Sequence, residues 1–146
     1  MPESFVNLDN ARFDDQRDVM RAIEEDGVCP FCPEHLHEYH KQPILREGAH
    51  WRITPIQWPY EHTSTHLLAI SAYHAESLGD LRDGSFDELQ KHFQWAELEF
   101  KIAAGGLAMR FGDVTKNGAS VKHLHMHLIV PSEDKSPEDK IRFKIS

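Results

Sequence analysis

Three histidines alternate with apolar residues in residues 121–130, Val-Lys-His-Leu-His-Met-His-Leu-Ile-Val. Because successive side chains of a β-strand point to opposite faces, His123, His125 and His127 would share one face, with neighbours about 7 Å apart. The apolar residues between them would bury against a helix. A neutral imidazole can act as a nucleophile when its second nitrogen donates a hydrogen bond. The pattern therefore predicts a strand over 121–130 that presents a row of imidazoles able to do chemistry.

A second group of reactive side chains is the Cys-x-x-Cys pair, Cys29 and Cys32, which lies among prolines that prevent a regular helix. Two cysteines in a chain of this length do not form a disulfide framework, and at this spacing they more often bind a metal or perform redox chemistry. A tetrahedral zinc site needs two further ligands. His35, His37 and His40 follow the pair closely and could supply these ligands. Alternatively, the cysteine pair could be metal-free or redox-active.

The elements that would position these residues follow from periodicity and turn signals. The clearest is a helix from Phe86 to Ala104, with a capping box of Ser85 and Glu88 and an end at Gly105. We also predict a helix at 13–26, strands at 43–47, 50–56, 65–71 and 107–112, a polar turn at 113–119, and a possible edge strand at 141–145. Strands without regular βαβ alternation predict an α+β fold with an antiparallel sheet.

Composition limits the classes of function. A chain of 146 residues is expected to form one domain, 1–146, with its core in 28–131 and a charged, solvated tail at 132–146. The formal net charge of −8 argues against nucleic acid as a partner. No apolar run is long enough to span a membrane, and residues 1–10 lack the features of a signal peptide, so we expect a soluble cytoplasmic protein.

The segment His-Leu-His-Met-His-Leu-Ile-Val resembles the motif of the histidine triad (HIT) superfamily of nucleotide hydrolases and transferases. The resemblance extends through residues 117–122 and from His66 to His74. It implies a HIT-like fold, with an antiparallel sheet of about five strands, one long helix and one or two shorter helices. It also implies a homodimer with a continuous sheet that acts on phosphorus esters or amides of a purine nucleotide or dinucleotide.

The resemblance also implies roles for individual residues. His125 would be the nucleophile that forms a nucleotidyl-histidine, and His127 would contact the phosphate or the leaving group. Ser120 would touch the leaving group, and the turn formed by Gly118, Ala119 and Ser120 would bind phosphate oxygens through N–H groups and a hydroxyl. Gly118 is equally explained as a turn glycine.

For the metal, the resemblance implies that His74 and His123 join Cys29 and Cys32. Two thiolates and two neutral imidazoles would form a closed, structural Zn²⁺ site beside the nucleophile. The zinc would stabilise the fold and would not be the catalyst.

Two positions depart from the family pattern. Many members have Asn or Gln where this chain has Gly112, so Arg110 would have to bind the phosphate, unless it is simply a surface arginine. Trp58 occupies the position of a ribose-binding Asp or Asn. Trp58 and Tyr60 could stack on a base or anchor their loop.

These features predict an enzyme that makes and breaks a nucleotidyl-histidine: a nucleotide phosphoramidase, a dinucleoside polyphosphate hydrolase or a nucleotidyltransferase. A non-catalytic nucleotide-binding sensor and a zinc-stabilised interaction module are the alternatives.

Overall fold

A five-stranded antiparallel sheet forms the centre of this computed structural model, which describes residues 4–146. The strands are β1 (Arg46–Glu47), β2 (Trp51–Pro55), β3 (Thr63–Ser71), β4 (Gly106–Met109) and β5 (His125–Pro131), in the order β1-β2-β3-β5-β4. The helices are α1 (Asp14–Asp26), α2 (Leu36–Tyr39), α3 (Ser85–Glu99) and α4 (Val114–Asn117). The predicted α+β fold with about five antiparallel strands is confirmed.

One face of the sheet packs against α3 and forms the main core. Leu89, Phe93 and Ala96 of the helix are buried against β2, β3 and β5. Met126, Leu128 and Val130 of β5 lie in this layer, as the alternation predicted. His125 and His127 consequently belong to the opposite face of the same strand.

Helix α3 is shorter than its apolar periodicity predicted. It ends at Glu99 instead of Ala104, and Lys101 has a left-handed φ of 52°, which does not continue a helix. The predicted capping box is also wrong, because the N-cap is Gly84 and Ser85 lies inside the helix. The Glu88 carboxylate instead accepts hydrogen bonds from the backbone N–H groups of His50 and Trp51.

Strand β5 begins at His125, four residues later than predicted. Residues 121–124 bind other segments instead: Val121 bridges to Val6, the Lys122 N–H donates to Phe5 O, and the Leu124 N–H donates to Ala75 O. His123 therefore precedes the strand.

The C-terminal segment differs most from the prediction. Residues 141–146 form no strand, and the tail is not simply a solvated loop, because Phe143 lies with its ring centre 5.1 Å from that of His127. The predicted strand at 107–112 is limited to β4, and the predicted turn at 113–119 contains the single turn of α4. None of the helices in residues 4–146 has the length and apolar character needed to cross a bilayer.

Candidate functional site

His125 and His127 line a cavity of about 510 Å³ on the face of the sheet opposite α3. Their ring centres are 5.3 Å apart. Strand β5 is central in the sheet, paired with β3 on one side and β4 on the other, so the two imidazoles stand on a rigid support. His123 does not line this cavity and turns toward the cysteines. The three histidines are thus divided between two neighbouring sites.

The environment of His125 leaves one ring nitrogen free for nucleophilic attack. Its Nδ1 lies 2.7 Å from the His123 carbonyl oxygen, which can only accept, so Nδ1 carries the hydrogen. Burial lowers the pKa of His125 to about 4, so the ring is neutral near pH 7. Nε2 therefore bears a lone pair, as a nucleophile requires.

His127 is held in the opposite tautomer by a residue that the sequence reasoning did not single out. The Tyr60 N–H donates to His66 Nδ1 at 3.2 Å, so the neutral His66 ring carries its hydrogen on Nε2. His66 Nε2 lies 2.8 Å from His127 Nδ1 and donates to it. His127 Nε2 therefore bears a hydrogen. It is the only buried side-chain nitrogen or oxygen in residues 4–146 without a hydrogen-bond partner.

A signal for His66 does exist in the sequence. It is the one histidine of β3, where it directly precedes the apolar run Leu-Leu-Ala-Ile. Burial lowers its pKa to about 3, so it too is neutral. Only the pairing of β3 with β5 shows that it reaches His127.

The turn before β5 brings Gly118 and Ser120 to the cavity wall. Gly118 ends α4 with a left-handed φ of 78°, and a Cβ there would lie 3.1 Å from the Lys144 carbonyl oxygen, so both conformation and space favour glycine. The Ala119 N–H already donates to Asn117 Oδ1. The Ser120 hydroxyl makes no hydrogen bond within residues 4–146 and is free to bind a ligand.

Arg110 also lines the cavity, where it holds the C-terminal tail. Its Nε donates to the Lys144 carbonyl oxygen at 2.6 Å, and its guanidinium carbon lies 3.8 Å from the centre of the Phe143 ring. The arginine is therefore at the position the sequence indicated, and its present acceptor is a backbone oxygen of the tail.

Cys29, Cys32, His74 and His123 form a second cluster directly beside His125. One potential ligand atom from each residue lies within 4.8 Å of the others. His123 Nδ1 is 3.3 Å from Cys29 Sγ, and His74 Nδ1 is 3.3 Å from Cys32 Sγ. The nearby histidines lie elsewhere: His40 donates to the Thr54 hydroxyl and His35 pairs with Glu38.

The donor atoms of this cluster fit a tetrahedral divalent ion. His123 Nε2–H donates to Ser71 O at 2.8 Å and His74 Nε2–H donates to Glu76 at 2.7 Å, so both Nδ1 lone pairs face the sulfurs. Burial raises the pKa of Cys29 and brings that of Cys32 to about 12. A bound cation would displace both thiol protons, which makes its affinity dependent on pH. The four residues could therefore hold a metal ion.

Comparison with known proteins identifies the family. The model of the HIT domain matches residues 62–134, half of the chain. The chain belongs to the HIT family. No curated protein matches it. The matched residues include His66, His74 and all three histidines around β5.

Solved HIT structures share the fold. A HIT family hydrolase from Clostridium thermocellum is 22% identical, with a TM-score of 0.57 over 75% of this chain and 95% of that chain. A hypothetical histidine triad nucleotide-binding protein from Sulfolobus tokodaii is also 22% identical, with a TM-score of 0.58 over 80% of this chain and 78% of that chain. A Zn-bound histidine triad protein from Mycobacterium smegmatis is 20% identical, with a TM-score of 0.56 over 82% and 83%.

The loop of Trp58 and Tyr60 is attached to the N-terminal region. Trp58 Nε1 donates to Asp15 of α1 at 2.8 Å, and the Trp58 carbonyl accepts from Arg12. Tyr60 stacks on His127 with ring centres 5.8 Å apart. Trp58 thus anchors the loop, and Tyr60 supports the imidazole that faces the cavity.

The buried histidines of this HIT protein predict a loss of stability in mild acid. Burial lowers the pKa of His40 to about 4, whereas an unfolded histidine has a pKa of about 6.5. Between these values the unfolded chain binds more protons, so the free energy of unfolding falls as the pH falls. His40 alone should contribute a fall on the order of 2 kcal/mol between pH 6.5 and pH 5.

Urea unfolding at pH 7 and pH 5 measures this effect. The His40→Gln variant should show a smaller difference between the two pH values than the wild type. His62→Asn is the control, because His62 is exposed and asparagine tolerates its left-handed φ of 67°, so this replacement should leave the difference unchanged. An unaltered pH dependence in His40→Gln would contradict the prediction.

Proposed function

We propose that this protein is a nucleotide hydrolase or nucleotidyltransferase that cleaves at the α-phosphorus of a nucleoside phosphoramidate or a dinucleoside polyphosphate. The observation that supports this most directly is the neutral His125, with Nδ1–H on the His123 carbonyl and an unprotonated Nε2 at the cavity. Membership of the HIT family and the hydrolase among its structural neighbours agree with this class of reaction.

In the first step His125 Nε2 attacks the α-phosphorus. The P–N bond forms as the bond from phosphorus to the leaving group breaks, and the leaving group takes the electron pair. His127 Nε2–H is suited to donate a hydrogen bond to the departing atom or to a phosphate oxygen, because it is an unpaired donor within the same cavity.

In the second step water attacks phosphorus and the P–N bond breaks, returning its electron pair to His125. The water hydroxyl joins the nucleotide, and the remaining proton is taken up by the leaving group or by solvent. An acceptor other than water would make the reaction a transfer. Ser120 and the turn at Gly118 are suited to hydrogen-bond the phosphate oxygens as negative charge develops on them.

We propose that the ion held by Cys29, Cys32, His74 and His123 is zinc with a structural role. The two thiol and two imidazole donors form a closed set of four, which is typical of structural zinc. When bound, the ion supplies a link between the segment of Cys29 and the residue that precedes β5. His123 also provides the carbonyl that orients His125, so the metal site supports the nucleophile indirectly.

Turnover assays test the proposed function. The purified protein should convert adenosine 5′-phosphoramidate or a diadenosine polyphosphate to adenosine monophosphate, detected by chromatography. Binding of adenosine monophosphate without turnover of either substrate would favour a nucleotide-binding sensor instead. Neither binding nor turnover would favour an interaction module.

We also propose a homodimer formed along the outer edge of β4. Within residues 4–146 this strand pairs only with β5, and Leu107 is 54% exposed on it, while Leu98 near the end of α3 is 83% exposed. An unpaired edge flanked by apolar side chains favours pairing with a second copy. Sedimentation velocity at micromolar concentration should therefore give a dimer.

Variants can locate this interface. Leu98→Asp should shift the protein toward monomer, whereas Leu78→Asp, at an exposed apolar residue on a separate 3₁₀ turn, should not. A monomeric wild type, or equal effects of both substitutions, would reject the proposed interface.

A further inference from the structure

The cavity is rich in positive charge, although the chain as a whole has a formal net charge of −8. Among residues 4–146, only two acidic side chains line it, Asp9 and Glu61. The basic residues that line it are Arg12, Arg110, Lys140, Arg142 and Lys144. A local excess of cations in an acidic protein raises the local concentration of anionic ligands. The cavity therefore favours a ligand with more than one negative group.

The two ends of the cavity differ in chemistry. Beside His125 lies Phe31, whose ring centre is 5.2 Å from that of the imidazole. At the His127 end, two aromatic rings flank the imidazole, Tyr60 at 5.8 Å and Phe143 at 5.1 Å. The guanidinium group of an arginine lies over each of these two rings. The positive charge is thus next to His127, the residue suited to face a leaving group.

Arg12 and Arg110 hold these positions with most of their hydrogen-bonding capacity unused. The Arg12 guanidinium carbon lies 4.4 Å from the Tyr60 ring centre, and that of Arg110 lies 3.8 Å from the Phe143 ring centre. Within residues 4–146 each guanidinium donates one hydrogen bond, to the Trp58 and Lys144 carbonyls respectively. A guanidinium has five N–H donors, so several remain for a ligand.

A further unpaired donor borders the same cavity. It is His127 Nε2–H, which is buried without a partner. The Lys144 carbonyl shows that an oxygen acceptor fits against Arg110 at 2.6 Å. The end of the cavity near His127 therefore combines two cations with a neutral N–H donor, a set that suits phosphate oxygens.

We propose that Arg12 and Arg110 bind an anionic leaving group, so that this protein selects nucleotide substrates in which the leaving group is itself a phosphate chain. This inference rests on the proposed function and narrows its substrate class. When His125 Nε2 bonds to the α-phosphorus, the P–O bond to the next phosphate breaks and a nucleoside diphosphate departs with the electron pair. The added negative charge on its terminal oxygen is stabilised by the guanidinium groups.

These arginines would stabilise an amine leaving group much less. It departs neutral after taking a proton, so a nearby positive charge does not stabilise it. The ratio of kcat/KM for a polyphosphate substrate to kcat/KM for a phosphoramidate therefore reports on the arginines. This ratio also separates ligand binding from the contact of Arg12 with the Trp58 loop, because a disturbed loop would affect both substrates alike.

The test compares diadenosine triphosphate with adenosine 5′-phosphoramidate in the wild type, Arg12→Gln and Arg21→Gln. Arg21 is the matched control, since it is an exposed arginine of α1 that does not line the cavity. Arg12→Gln should lower the selectivity ratio roughly tenfold to a hundredfold, the loss of one charge-assisted hydrogen-bond set. Arg21→Gln should leave the ratio unchanged. Arg12→Lys, which keeps the charge without the planar fork, should lie between them.

An unchanged ratio in Arg12→Gln, whether or not both rates fall, would overturn the inference. If the wild type cleaves neither substrate, the proposed function fails. The role of Arg12 in binding a phosphate chain is then tested separately by measuring the affinity for pyrophosphate. Calorimetry should then show pyrophosphate bound by the wild type and by Arg21→Gln, and roughly tenfold more weakly by Arg12→Gln. Equal affinities, or no binding to the wild type, would overturn it.

Discussion

Replacing His125 with alanine will abolish cleavage of phosphoramidate and dinucleotide substrates while the protein stays folded. The expected loss in kcat is on the order of 10⁴-fold or more, since covalent catalysis loses its nucleophile. His127 cannot replace it, because its Nδ1 accepts from His66 and its Nε2 carries a hydrogen. The ring of His125 is buried but faces a cavity, so its removal enlarges an existing space.

Steady-state kinetics, with circular dichroism and thermal melting as checks on folding, measure this result. His37→Ala, at an exposed histidine far along the sequence, is the control and should retain full activity. Ser120→Ala should lose roughly tenfold to a hundredfold, because it removes one hydrogen bond from a shared set. Near-normal turnover in His125→Ala would remove His125 from the role of nucleophile.

The second large effect is expected from the metal cluster. Protein purified without chelators or affinity tags should contain about one zinc ion per chain, held by four ligands. Cys29→Ser should lower both the zinc content and the melting temperature, the latter on the order of 10 °C or more. The reason is that Cys29 and His123 are 94 residues apart in sequence, and the ion would join their segments.

Elemental analysis and thermal melting provide the readouts. His35→Ala is the control, because His35 pairs with Glu38 outside the cluster and its loss should leave the zinc content unchanged. Zinc should also be released in acid as protons compete for thiolates and imidazoles. Activity lost in Cys29→Ser should be partly recovered at low temperature, where β5 stays folded. Absence of zinc from the wild type, or unchanged zinc and melting in Cys29→Ser, would reject this ligand set.

The C-terminal tail forms part of the cavity wall. Besides the contacts of Phe143 and the Lys144 carbonyl with Arg110, Lys144 Nζ donates to Asn10 Oδ1 at 2.9 Å, so the tail joins the N-terminal region across the cavity. The sequence suggested a charged, solvated loop followed by a possible edge strand there. Its charge pattern carries no information about which distant partner an aromatic residue such as Phe143 will meet.

The sequence by itself determined the features that follow from the alternation of side chains along a strand. The alternation in 121–130 predicted which side of β5 meets α3, because side-chain direction in a strand follows directly from position. The same residues identified the family. Local patterns were less informative about where elements begin and end. Strand β5 begins later than predicted because residues 121–124 pair with residues 5, 6 and 75.

Only the tertiary structure decided which distant side chains meet. The hydrogen bond of His66 to His127 depends on the register of β3 against β5, and the approach of Arg12 to Tyr60 depends on how the N-terminal region packs. The hydrogens of His125 and His127 likewise follow from their partners, a carbonyl oxygen for one and a histidine for the other. Such contacts join residues far apart in the chain, and neither composition nor periodicity encodes the packing that brings them within hydrogen-bonding distance.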